Sequence, residues 1–186
     1  VKGIRLCCIA LLSFLMALAP FICAQEAAAQ ASPAQTYNNL MSALEKEVVE
    51  AADAMPADKY NFAPTQGEFK GVRTFAQQVK HLTEANYAFF QGWNVSGAVK
   101  RDDIEKLSSK DDIMKALRDS YAYAHKALDT ITPANAFEVI GSGERKSTRA
   151  GMAAFCIAHS MDHYGQMVVY LRMNGIVPPA SRKSGM

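Results

Sequence analysis

Cysteine is nearly absent from the body of this chain. Of four in total, Cys7, Cys8 and Cys23 fall in the first 24 residues, which leaves Cys156 alone. One thiol cannot close an internal disulfide, so the fold must be held by packing rather than by covalent staples. Charge of one sign is equally scarce. The formal net charge of +2 is accounted for by Lys2 and Arg5, and the remainder is balanced. A balanced domain lacks the basic excess that phosphate-backbone binding demands, which argues against a nucleic-acid partner. No segment shows sustained strand-type alternation, and there is no internal repeat or low-complexity block beyond a short Ala/Gln stretch.

Long apolar runs are also missing. The one candidate, Leu6 to Ala19, is shorter than the roughly 20 residues a bilayer-spanning helix needs and is followed by Pro20. Preceded by Lys2 and Arg5 and followed by Ile22-Cys23-Ala24, it has the three parts of a secretory signal peptide over residues 1–24. The expectation is therefore an exported protein, periplasmic or extracellular, with no membrane attachment after the leader is cleaved. Residues 25–35 read as a flexible linker. The domain then occupies residues 36–180, with a tail over 181–186. About 160 residues remain after the leader, which is the usual size of a single domain with one core.

What is present is helical periodicity. The first helix is expected from about Thr36 to Ala54, with Leu40, Leu44, Val48 and Ala51 or Ala52 inward, stopping before Pro56. The second runs from about Arg73 to Trp93 on a stripe of Phe75, Val79, Leu82, Asn86 and Phe89. Between them, Pro56, Pro64, Gly67 and Gly71 break any helix, and a connection that long is expected to cross a bundle end or to carry function. The third helix starts at an N-cap Ser109, with Asp111 and Asp112 in its first turn, and turns Ile113, Leu117, Tyr121 and Leu128 inward. A fourth spans about Thr148 to Asn174, with Gly175 at the C-terminal cap and Pro178-Pro179 beyond. Phe137 to Ile140 before Gly141-Ser142-Gly143 reads as a short extended piece or a turn. The charged run from Arg101 to Asp112 reads as solvated loop. These elements predict an all-α four-helix bundle with long crossover connections.

Only four histidines exist, and two of them, His159 and His163, stand four residues apart on the fourth helix. That spacing puts both imidazoles on one helix face, close enough to share a metal ion. The face also carries Met152, Phe155, Cys156, Gln166, Met167 and Tyr170, which makes it the core-facing stripe, so both imidazoles are expected to point into the bundle. A single inward histidine is most simply a hydrogen-bonded core residue. Two stacked on an apolar face would each need a partner or carry a desolvation cost of roughly 1–3 kcal/mol, and a shared cation satisfies both. Two ligands hold a divalent ion poorly, so a third is expected from another helix. His81, at mid-height of the second helix and flanked by Gln78 and Ala85, is placed for it. His125, beside Lys126, reads as a boundary residue. Asp162, Gln166, Tyr170 and Glu84 are candidates for orienting the rings, each equally explained as bundle polarity.

Taken together, His81, His159-x-x-x-His163, Gly165-Gln166 and the run from Tyr170 through Gly175-Ile176-Val177-Pro178-Pro179 resemble the DinB-like superfamily of metal-binding four-helix bundles. Phe62-x-Pro64 and Arg73-Thr74-Phe75 support the resemblance more weakly. It implies a three-histidine site at His81, His159 and His163, holding zinc or nickel, and it suggests a homodimer. An export leader departs from the family's common pattern.

Three imidazoles leave a coordination position free, where a water or a thiolate could be activated. The leading expectation is a metal-dependent hydrolase or thiol-dependent transferase acting on a small molecule that the sequence does not name. The alternative is a non-catalytic bundle with a structural metal, binding a small ligand or a protein partner. A fourth ligand closing the site would favour the alternative, and Glu84, Asp162 and Cys156 are the nearby options. For Cys156 a small buried hydrophobe is the simpler account. Trp93 with Phe89 and Phe90 reads as packing, and Asn94-Val95-Ser96 matches a glycosylation acceptor.

Overall fold

The computed structural model describes residues 31–143 and 146–182. The expected leader over residues 1–24, the first part of the expected linker and the end of the tail lie outside the described residues. Four long helices make up the domain: α1 (Pro33–Ala54), α2 (Phe75–Phe89), α4 (Lys110–Leu128) and α5 (Arg149–Met173), with a short α3 (Arg101–Glu105) between α2 and α4. An antiparallel pair, β1 (Val139–Ile140) and β2 (Ser147–Thr148), leads into α5. Among the described residues, no helix is long and apolar enough to cross a membrane.

Local chemistry fixes the helix starts. Ser32, Thr74, Ser109 and Thr148 each accept a hydrogen bond from a backbone N–H in the first turn of α1, α2, α4 and α5, and such caps contribute about 0.5–2 kcal/mol apiece. At Thr74 the cap is reciprocal, because Gln77 Oε1 accepts from the Thr74 N–H at 2.8 Å. At the far end of α5, Gly175 adopts φ +72°. Its N–H reaches Arg172 O at 3.0 Å while Ile176 N–H reaches Leu171 O at 2.9 Å, closing the helix with two of its last carbonyls satisfied.

The helices pack in the cyclic order α1, α4, α2, α5. Helices consecutive in sequence are thus diagonal in two cases, α1 with α2 and α4 with α5, and each diagonal step needs a long connection across a bundle end. That is the physical origin of the irregular stretches at 55–74 and 129–148. The core is filled by Met41, Met55, Phe75, Leu82, Phe90, Ile113, Leu117, Tyr121, Leu128 and Met167, all essentially inaccessible.

Four expectations are corrected. α1 begins at Pro33, three residues before the expected start, because Ser32 caps it and proline suits a first helical turn. Leu40 is 51% exposed and Met41 takes its place in the core. α2 is shorter than its periodicity suggested and ends at Phe89. The charged run at Arg101 is helical, pinned by the buried Ile104.

Candidate metal centre

The site is built on the seam between α2 and α5. His159 and His163 lie one turn apart on α5, and α2 brings His81 against them. One donor nitrogen from each of the three rings lies within 4.8 Å of the other two. Ring centroids are separated by 4.5 Å for His159 and His163, 4.8 Å for His81 and His163, and 5.2 Å for His81 and His159. The sequence pair and its predicted third partner are therefore brought together.

Nε2 of His163 lies 3.2 Å from Nε2 of His159. Imidazole nitrogens bound at about 2.0–2.1 Å to one tetrahedral ion sit about 3.3–3.4 Å apart, so the two rings already hold the spacing of a shared ligand edge. His159 Nδ1 is buried and makes no hydrogen bond. Burial is the chief cause that lowers the pKa of all three rings, to about 4 for His81 and for His163, with Arg73 and the neighbouring rings adding to it at His81. At neutral pH the cluster is thus uncharged, and its lone pairs are available to a cation. Donor type, spacing and protonation all fit a divalent ion.

A chain of side-chain hydrogen bonds fixes the most buried ring. His163 Nδ1 faces Gln78 Oε1 at 2.9 Å, Gln78 Nε2 donates to Gln166 Oε1 at 2.7 Å, and Gln166 Nε2 donates to Asp162 Oδ2 at 3.0 Å. An ionised carboxylate only accepts, so Asp162 sets the direction of both amides. Gln78 must then present its oxygen to His163, which holds the proton on Nδ1 and leaves Nε2 free for an ion. The sequence offers Asp162 and Gln166 as candidates for ring orientation, each equally explained as bundle polarity, and does not single out Gln78. The available signal was a glutamine inside the Phe75/Val79/Leu82 stripe, one turn from His81.

The site is not at the centre of the bundle. His163 is buried, but His81 and His159 are only half-buried, which corrects the expectation that both α5 rings point wholly inward. Phe155 is 58% exposed and packs edge-on against Phe89 at 5.4 Å, and Phe89 packs edge-on against His159 at 5.1 Å. These two phenyl rings cover the His159 side. On the His81 side opens a cavity of about 860 Å³, lined among others by Arg73, His81, Glu84, Arg101, Gln166 and Tyr170.

The family model of the DinB superfamily matches residues 40–167, which takes in most of α1 through most of α5 and all three histidines. The chain belongs to the DinB superfamily. Solved structures agree in fold. A DinB-like protein from Bacillus subtilis superposes with a TM-score of 0.62 at 16% identity, covering 80% of this chain and 99% of the other. A DinB-like protein from Bacillus cereus gives 0.67 at 17% identity, covering 80% and 97%. No curated protein sequence matches the chain.

Within this DinB-superfamily bundle the remaining candidates take distinct places. Among the described residues, no Glu, Asp or Cys joins the histidine cluster, so the fourth ligand of a closed site is not supplied there. Cys156 is fully buried beside Asn86, at 3.6 Å, and burial pushes its thiol up to about 12. That is the packing role. His125 belongs to a separate tie between α4 and α1, with Asn38 Oδ1 at 2.6 Å and Glu45 Oε2 at 2.9 Å. Glu84 lines the cavity, its carboxyl pushed up by burial and opposed by Arg101 at 3.4 Å. Tyr170 does not orient a ring; its hydroxyl donates to the Arg73 carbonyl at 3.0 Å. Trp93 is buried against Phe90, with the Arg149 guanidinium over its ring. Asn94 has φ +59°, a left-handed turn position that asparagine tolerates.

Proposed function

We propose that this DinB-superfamily protein is an exported, metal-dependent enzyme, a hydrolase or thiol-dependent transferase, with zinc or nickel held by His81, His159 and His163. The observation that carries the reading is the convergence of three neutral imidazoles beside an open cavity, with no fourth His, Cys, Asp or Glu among the described residues in the cluster. Export rests on the leader pattern of residues 1–24 in the sequence.

When bound, such an ion supplies Lewis acidity and lowers the pKa of a water or thiol brought to it. The protein's own residues do the rest. Gln78 holds His163 in the tautomer that exposes Nε2. Phe89 packs against His159 and Phe155 against Phe89, while His81 is the ring that lines the cavity. Glu84, three residues after His81 on α2 and lining that cavity, is placed to accept a proton from the nucleophile, and its raised pKa suits exchange nearer neutrality than an ordinary carboxylate. Arg101 steers that carboxylate.

The test is metal content of the purified protein and of His163→Ala, followed by screening of the metal-loaded protein against ester, amide and thiol-conjugation substrates. Metal uptake near one equivalent in the wild type, lost in the variant, is expected. Full occupancy in His163→Ala would remove the three-histidine assignment, and inactivity towards all three substrate classes would remove the enzymatic one.

A further inference from the structure

The cavity beside His81 has a charge pattern of its own. Three cations line it: Arg73, Lys80 and Arg101. Lys80 Nζ donates to the carbonyls of Glu105 and Leu107 at 2.8 and 3.1 Å. Arg101 Nε is bound to Glu105 at 2.7 Å and faces Glu84 at 3.4 Å. Both acids of the lining are therefore matched. Arg73 differs, because among the described residues its guanidinium has neither an ion pair nor a hydrogen bond, while its backbone is fixed twice. Its carbonyl accepts from Tyr170, and the next residue is Thr74, the capping residue of α2. Arg73 is exposed, and a held backbone that presents an unpaired planar cation to a cavity it lines is suited to a carboxylate or phosphate.

The same cavity has apolar walls that face solvent. Phe69, Val72 and Val169 line it and are 41%, 36% and 52% exposed. Phe69 and Val72 belong to the connection before α2, shaped by left-handed glycines at 67 and 71. At Gly67 a side chain would be strained by φ +101°, and its Cβ would stand 3.3 Å from the Phe69 ring. Exposed large apolar groups converging on a polar-ended cleft mark a ligand with an apolar part.

We propose that the cavity binds an amphipathic carboxylate, with Arg73 holding the carboxylate, Phe69, Val72 and Val169 covering the apolar chain, and the other functional group turned towards His81. This deepens the proposed function and rests on it only for which end reacts. The bidentate Arg73 contact does not require the ion, so binding and metal uptake are separable.

Calorimetric titration of the full purified chain, stripped of metal and desalted, with octanoate, octanamide and acetate tests the assignment. Wild type is expected to bind octanoate at least tenfold more tightly than octanamide, which lacks the charge, and than acetate, which lacks the chain. Arg73→Gln should bring octanoate down to the octanamide level, Arg73→Lys should restore part of the difference, and both variants should retain wild-type helicity. Equal octanoate binding by wild type and Arg73→Gln, or no preference over octanamide, would overturn the proposal. So would octanoate binding that requires added zinc or nickel and is indifferent to Arg73, since the carboxylate would then be on the ion. A protein that takes up no metal yet shows Arg73-dependent octanoate binding would remove the metal reading and leave this one standing.

Discussion

Gln78 and His163 meet at 2.9 Å across the α2–α5 seam, in a place where both side chains are almost wholly buried. The amide oxygen accepts from Nδ1, and the amide nitrogen is committed to Gln166. Removing the acceptor leaves an Nδ1–H without a partner and frees the ring to place its proton on Nε2, where an ion would have to displace it. For Gln78→Leu, metal affinity is expected to fall about 10–100-fold, with about 1–3 kcal/mol lost in stability. Metal titration together with denaturant unfolding measures both. Asp162→Asn, which removes only the group that sets the amide direction, should weaken metal binding by a smaller factor.

Acid should act on this cluster in a defined window. Folding lowers the histidine pKa values below the ordinary 6.5, to about 4 for His81 and His163, mainly by burial. Between those values the unfolded chain binds more protons than the folded one, so stability rises with pH there and is lost as pH falls from about 6.5 towards 4. Above 6.5 both states are neutral and the contribution is complete. Metal-free protein followed by thermal unfolding should show this slope, and His81→Phe should reduce it while leaving the share of His163.

Cys156 should behave as core. With the thiol buried and pushed up to about 12, it is expected to resist a thiol-specific dye in the native protein and to react fully after unfolding. Cys156→Ala should keep full metal occupancy. Rapid native labelling, or metal lost from the variant, would contradict the assignment.

His125 provides the contrast among the histidines. Its two ring nitrogens tie α4 to Asn38 and Glu45 on α1. His125→Ala is therefore expected to cost about 0.5–1.5 kcal/mol by denaturant unfolding while leaving metal stoichiometry unchanged.

The long helices and the histidine pair were legible because both depend on spacing within one element. Errors arose where spacing was extrapolated. Leu40, Leu44 and Val48 step by four, which drifts around a 3.6-residue helix, whereas Met41, Leu44 and Val48 stay closer to one line, and it is Met41 that is buried. Phe155 shares the helical-wheel face of Met152 and His159 and is expected inward on that spacing, and the structure instead sets it on Phe89 with 58% of its surface exposed. α3 has five residues and one buried side chain, Ile104, too little to show a period. Gln78 and Arg73 acquire their roles only across a tertiary contact, from Gln166 and Tyr170, more than 80 positions away in the chain.

The ring order of the bundle bears on how an ion would affect the whole molecule. α2 and α5 are side by side in space, yet α3 and α4 intervene in the chain. An ion shared by His81, His159 and His163 would be a clasp on that loop, acting on the unfolded chain as a cross-link does, by removing the freedom of its ends to part. Scarcity of the ion would then be felt first as loosening between α2 and α5, before any effect on α1. Hydrogen exchange along these helices, with and without metal, would display the order in which the bundle comes apart.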